Sequence, residues 1–458
     1  MKYRSTRGGV TGISFKQAVM MGLATDGGLL VPHAIPDVSN KLVAWTGLSF
    51  AALATEIMSE YIDDIPADDL AVLVNKSYSK FDHEEVTPVV AVDDFHVLEL
   101  FHGPTLAFKD IALQFLGNVF EYILAEQNER LNILGATSGD TGSAAIEALR
   151  GKSNINIFIL FPEGKTSPVQ EMQMTTVLDP NVFNIAVDGS FDDCQLLMKH
   201  IFSDLDFKDE YKLGAVNSVN WARVLAQIVY YFYAWYQLGK PEAFEVAVPT
   251  GNFGNIFAGY LARRMGLPIN KLILATNSND ILDRFFKTGV YERGEVYFSE
   301  SPAMDIQVSS NFERYLYYQL DGSCEKVRRF MTSFLESRVA RLDFNTRGFD
   351  ETFLTGSVSD AWTLETIRLV YESDDYLIDP HTAVGIKAGQ ELGTAGIPLL
   401  CLATAHPAKF EDAIRRALPD IAPHHPRLQR LADLPTRKEN IAADADAVKD
   451  IIRRHARD

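Results

Sequence analysis

The chain is 458 residues long, beyond the size at which one hydrophobic core normally stops growing, so two or more domains are expected. Hydrophobic residues make up 47% and charged residues 23%, ordinary values for a soluble globular protein that can build a large core. A formal net charge of −18 repels nucleic acid and anionic lipid, so neither is expected as a partner. A phosphorylated ligand would have to be met by local devices, glycine-rich turns and helix N-termini above all.

The N-terminal MKYRSTRGG carries basic residues with no apolar stretch behind them, and no secretory signal is expected. Residues 1–95 read as a mostly helical domain, with helical spacing at Phe15–Met21 and Phe50–Tyr61 and turn chemistry at Asp26-Gly27-Gly28. Residues 96–458 form the expected catalytic α/β region. It opens on F-H-G-P-T-L-A-F-K-D, which places Lys109 before the amphipathic stretch Ile111–Leu124. From about Leu131 short apolar runs alternate with amphipathic ones. The strands are expected at Asn132–Ala136, Ile155–Phe161, Val182–Val187, Phe244–Val248, Lys271–Ala275 and Pro398–Ala403. Helices are expected near 141–150, 168–176, 192–204, 220–238, 254–265 and 408–417. This alternation predicts an α/β class with layered parallel sheets and flanking helices. Ligands in such sheets bind outside the carboxyl ends of the strands.

Residues 280–375 interrupt the pattern with charged, aromatic-rich helices and are expected to be an insertion or subdomain. The aromatic run Val224–Tyr236 is too short to span a bilayer and predicts a buried helix; no membrane association is expected. The tail after Pro419 is expected to be a surface helix with a short frayed end. Cys194, Cys324 and Cys401 are far apart and form no CxxC pair, which argues against disulfides and against a metal site and points to the cytoplasm. Cys401, in an apolar run, is expected to be a buried inert thiol.

Walker, GxSxG, HExxH and complete GxGxxG motifs are absent. The informative segments sit at strand-to-helix junctions. N-I-L-G-A-T-S-G-D-T-G over Asn132–Gly142 offers Thr137, Ser138 and Thr141 hydroxyls beside a helix start, suited to a carboxylate or phosphate, although a plain N-cap has the same pattern. V-P-T-G-N-F-G-N over Val248–Asn255 has two glycines three apart, which lets backbone wrap an anion; a simple left-handed turn is an equal reading. Asn217-Ser218-Val219-Asn220-Trp221-Ala222-Arg223 puts an arginine in the first turn of a helix, against the macrodipole unless an anion is near. The competing reading is a cap with a core tryptophan. Lys109 has mostly apolar neighbours; desolvation there would lower its pKa and favour carbonyl chemistry, whereas most lysines simply snorkel to the surface. His381 and His406 lie at turns and are assigned no role.

In order, these segments resemble the threonine synthases, within the pyridoxal-phosphate enzymes related to the tryptophan synthase β-subunit (fold type II). The resemblance runs from Tyr3-Arg4-Ser5-Thr6-Arg7-Gly8 through G-P-T-L-A-F-K-D, A-T-S-G-D-T-G and P-T-G-N-F-G-N to A-T-A-H-P-A-K-F. It implies pyridoxal 5'-phosphate as cofactor, Lys109 as the Schiff-base lysine, and Gly251, Asn252, Phe253, Gly254 and Asn255 as the cofactor-phosphate loop. Thr404 would meet the pyridine nitrogen and Asp140 would lie near the cofactor ring. Thr137, Ser138 and Thr141 would hold the substrate carboxylate. Ser218, Asn220 and Arg223 are candidates for the phosphate of the implied substrate, O-phosphohomoserine, which would become threonine by γ-elimination and β-addition of water. A monomer or homodimer is expected. The alternatives are a threonine or serine dehydratase, a lyase releasing a keto acid, and a phosphate-ligand binding protein without chemistry.

Overall fold

The structure is a computed structural model that describes residues 1–137, 139–342 and 350–456. The chain forms two compact units: residues 1–75, 81–102 and 218–423 in the first, and 76–80, 103–217 and 424–458 in the second.

In the first unit a six-stranded sheet runs in the order Phe353–Ser357, Ile269–Thr276, Phe244–Pro249, Leu399–Ala403, Phe95–Glu99, Val89–Val92. The first five strands are parallel and Val89–Val92 closes the edge antiparallel. The central strand Phe244–Pro249 is buried along its whole length, the pattern of a strand covered on both faces. One covering helix, Pro380–Leu392, starts with a proline behind an Asp379 cap, and Gly385 and Gly389 let it lie close on Pro249 and Ala247. The expected helix over the aromatic run is Trp221–Gln237, buried at all but its last two positions.

Two departures from the sequence reading concern this sheet. The N-terminal segment 1–95 is not helical throughout: it supplies Val89–Val92, the first residue of Phe95–Glu99, and a three-stranded antiparallel sheet of Thr11–Ile13, Tyr3–Ser5 and Leu30–Pro32. The 280–375 interval also contains a sheet strand, since Phe353–Ser357 pairs in parallel with Ile269–Thr276. The strands in both stretches are short, and Phe353–Ser357 is also mixed in polarity, so neither stretch leaves a long apolar run to detect.

The second unit holds a fully parallel five-stranded sheet, ordered Glu439–Ala442, Val182–Asp188, Ile155–Pro162, Leu131–Ala136, Leu213–Gly214. Ile155–Pro162 is wholly buried at its centre. The tail differs from expectation. Glu439–Ala442 is the edge strand, and the helix Ala445–His455 buries Val448, Ile451 and Ile452 against Leu134, Phe158 and Ile185. The helices Lys109–Gln127 and Asp140–Leu149 pack tightly at Gly117, where a Cβ would lie 2.6 Å from the Ala148 carbonyl oxygen. The two helices begin at Lys109 and Asp140.

Candidate active site

In the second unit Lys109 is the first residue of its helix, with its side chain only 12% exposed. Its Nζ lies 3.5 Å from Asp140 Oδ2 and 4.7 Å from the centre of the Phe108 ring. A cation at a helix start opposes the helix dipole, and Asp140 supplies the compensating charge. Asp140 occupies the first turn of its own helix, where a carboxylate is favoured, and its Oδ1 accepts from Gln170 Nε2 at 2.8 Å. The lysine is therefore buried and directed, unlike a snorkelling surface residue. The next residue, Asp110, is a fixed anchor: it accepts from Thr105 N and Thr105 Oγ1, both at 2.7 Å, and shapes the turn ahead of the lysine.

The Thr137 hydroxyl is occupied by its own loop. It donates to the Gly139 carbonyl at 3.0 Å and accepts from Gly139 N and Gly142 N, both at 3.1 Å. Gly142 permits that fold, because a Cβ there would meet Thr137 Cγ2 at 2.4 Å. Thr141 is half-buried on the first helical turn. Ser138 lies outside the described residues.

In the first unit the segment Gly251–Asn255 follows the strand Phe244–Pro249 and opens the helix Gly254–Arg264. Phe253 adopts a left-handed φ of 62° and no side chain caps the helix start. Its ring is spent in an aromatic cluster with Phe286, Phe312, Tyr315 and Phe353, so only its backbone can serve a ligand. Asn255 Oδ1 accepts from Tyr230 and Tyr231 hydroxyls at 2.6 and 2.9 Å, while its buried Nδ2 has no partner. Gly251 is closely approached, since a Cβ would sit 3.2 Å from the Ala303 carbonyl oxygen. An uncapped helix start, an orphaned amide donor and a close glycine turn fit a phosphate group.

Thr404 ends the strand Leu399–Ala403 and is held from behind. Its N–H donates to Thr382 Oγ1 at 3.3 Å, and that hydroxyl donates to the fully buried Asp379. Asp379 also binds His381 Nδ1 at 2.8 Å, and Ala303 N donates to His381 Nε2 at 3.1 Å. With Nδ1 against Asp379 and Nε2 accepting a backbone N–H, His381 is a structural residue behind Thr404.

The residues singled out after Asn217 separate into different roles. Asn220 is a helix cap: its Oδ1 accepts from Ala222 N at 3.1 Å and its Nδ2 donates to the Val19 carbonyl at 2.9 Å. Both ends of the side chain are engaged by the fold, Oδ1 in the cap and one Nδ2 proton on the Val19 carbonyl. Ser218 Oγ lies 2.8 Å from Ser310 Oγ, which donates to Asn252 Oδ1 at 3.0 Å. Arg223 is buried, and neither its Nε nor its Nη1 has a partner. Burial pushes its pKa down to about 10, so it remains charged at neutral pH. An unpaired buried cation is costly, and the usual reason to keep one is a ligand that brings the anion. The sequence reading missed Ser310 and its neighbours; the signal was there, since Ser309-Ser310-Asn311 precedes a helix as Ser218–Asn220 does.

Among the described residues no three His, Cys, Asp or Glu side chains gather as metal ligands, and no helix is long and apolar enough to cross a membrane.

Three family descriptions tile the chain: Threonine synthase N terminus over residues 2–78, Pyridoxal-phosphate dependent enzyme over 81–331, and Threonine synthase, C-terminal over 382–452. The chain is 49% identical to the threonine synthase of Schizosaccharomyces pombe, across 91% of this chain and 89% of that protein. The chain belongs to the threonine synthase family. The pyridoxal-phosphate-bound threonine synthase from Brucella melitensis superposes with a TM-score of 0.97 at 44% identity, covering 100% of both chains. The yeast threonine synthase gives 0.94 at 45% identity, over 99% of this chain and 98% of that one. The fold is accordingly the tryptophan synthase β-like fold type II, and the threonine synthase cofactor is pyridoxal phosphate.

Proposed function

We infer that the chain converts O-phospho-L-homoserine and water to L-threonine and inorganic phosphate. Its place among threonine synthases supports this, and within the molecule one observation carries it: the buried guanidinium of Arg223, whose Nε and Nη1 have no partner. A substrate whose own phosphate is the leaving group needs such a donor.

Lys109 is proposed to anchor pyridoxal phosphate, with the Gly251–Asn255 segment holding the cofactor phosphate and the Thr404 hydroxyl the pyridine nitrogen. When bound, the cofactor supplies the electron sink that lets protons leave the substrate Cα and then Cβ. The rest falls to this chain. The Lys109 amine, once released, is the base at Cα and the carrier that moves protons between Cα, Cβ and Cγ. Asp140, 3.5 Å from that amine, faces it and orients it. Arg223 and Ser218 hold the phosphate and stabilise its charge as it leaves Cγ. The loop over residues 137–142 is proposed to receive the substrate carboxylate through helix-start N–H groups and Thr141, with Thr137 shaping it from within. Residues that hold the phosphate after departure also keep water as the sole nucleophile needed at Cβ.

The three cysteines are unpaired, which suits the cytoplasm, and the working unit is proposed to be a monomer or homodimer. The test is product identity. Purified protein given O-phosphohomoserine is expected to yield threonine and phosphate in equal amounts; a keto acid with ammonia in place of threonine would overturn the reading.

A further inference from the structure

We infer that Ser310 is a further ligand of the substrate phosphate, presented by a segment built for that purpose. The inference rests on the reading of Arg223 and Ser218 as the phosphate subsite.

The three side chains of Ser309-Ser310-Asn311 are used differently. Ser309 Oγ donates to the Gly251 carbonyl at 2.8 Å. Asn311 N and Nδ2 both donate to the Asn252 carbonyl, at 3.0 and 3.1 Å, and Nδ2 also reaches the Ser218 carbonyl at 3.2 Å. The flanking residues are therefore clasps, tying the segment to the backbone of the two ligand loops. Only Ser310 points its hydroxyl at side chains of those loops, between Ser218 Oγ and Asn252 Oδ1.

The clasp is itself fixed. Arg314, fully buried, donates through Nη1 to Asn311 Oδ1, through Nε to the Leu30 carbonyl at 2.9 Å, and through Nη2 to the Val219 carbonyl. Burial pushes its pKa down to about 9, yet each of its three guanidinium nitrogens has a protein acceptor. The contrast with Arg223 decides the assignment. One arginine has its protein acceptors and sets geometry; the other lacks them and awaits an anion. Arg223 also lies on the side of its helix that meets these loops. Gln227, one turn on, would be 4.0 Å from a Cβ at Gly254, and Asn311 Nδ2 would be 3.3 Å from the same atom.

Without an anion, the Ser218, Ser310 and Asn252 side chains satisfy one another in a short chain of neutral hydrogen bonds. Each serine has one proton and a free rotor. A phosphate dianion is a stronger acceptor than a neighbouring hydroxyl or amide oxygen, so both hydroxyls would turn to it at small reorganisation cost. The segment thus adds a third side-chain donor to Arg223 and Ser218.

The experiment uses the holoenzyme of Ser310→Ala, with KM for O-phosphohomoserine, the inhibition constant of inorganic phosphate and the dissociation constant of the cofactor read together. Loss of one hydrogen bond to a charged group is expected to raise KM and the phosphate constant in parallel, each by about tenfold. Cofactor affinity stays unchanged, and Ser310→Thr restores both constants. Unchanged KM and phosphate inhibition in Ser310→Ala, or a change in cofactor affinity instead, overturns the proposal. Arg223→Lys separates the two readings. If it too leaves both constants unchanged, the phosphate subsite itself is misplaced; if it alone raises them, only the role of Ser310 falls.

Discussion

Lys109 and Arg223 are both buried cations near the start of a helix, and their surroundings are opposite. Around Lys109 the polar groups are already partnered within the protein: Asp140 faces the amine and takes Gln170 behind it, while Thr137 and Asp110 close their own turns. On Arg223 two guanidinium nitrogens, Nε and Nη1, have no acceptor at all. For the proposed roles the contrast makes sense: a lysine holding a cofactor through many turnovers would benefit from a fixed, compensated setting, and an arginine receiving and releasing a phosphate in every turnover would benefit from having nothing to displace. The difference teaches that hydrogen-bond completeness, more than residue type, separates scaffold from ligand site here.

That comparison can be broken most sharply at Arg223. Arg223→Met removes a charge that the ligand-free protein does not pair. Kinetics should show kcat/KM reduced roughly a hundredfold, the scale of one or two lost charge-assisted bonds. Chemical denaturation of the same variant should show stability unchanged or raised by about 1–3 kcal/mol, the cost of an unsatisfied buried polar group. A marked loss of stability would mean that Arg223 is partnered scaffold after all. On the other side of the comparison, Gly142→Ala introduces a Cβ within 2.4 Å of Thr137 Cγ2. It is expected to destabilise the protein by about 1–3 kcal/mol, the usual cost of overpacking. Because the Thr137 loop would shift with it, KM should rise as well. A variant as stable as the parent would show that this loop is less tightly built than its hydrogen bonds indicate.

Much of this was legible in the sequence, for identifiable reasons. Ile155–Phe161 and Phe244–Val248 are nearly continuous apolar runs, the mark of parallel strands covered on both faces, and both appear where expected. Phe353–Ser357 and Glu439–Ala442 are short and mixed in polarity, so their membership of a sheet depends on partners distant in the chain. The same holds at the site. Lys109 stood out through its apolar neighbours, but its contact with Asp140, 31 positions later, is a product of helix packing at Gly117. Asn220 and Ser218 look alike in sequence as polar residues before a helix. Only the fold reveals that one is consumed as a cap and the other meets Ser310. Residue type suggested a ligand class; the proposed assignment of each donor required the three-dimensional set of partners it already has.

The account depends most on Lys109, and Lys109→Ala tests it directly. The variant should fold as the parent does, lose the near-visible absorbance that borohydride abolishes in the parent holoenzyme, and release phosphate from O-phosphohomoserine at least about a thousandfold more slowly, in the range expected for loss of a positioned base. Retention of that absorbance band, or of phosphate release at a rate near the parent's, would contradict it.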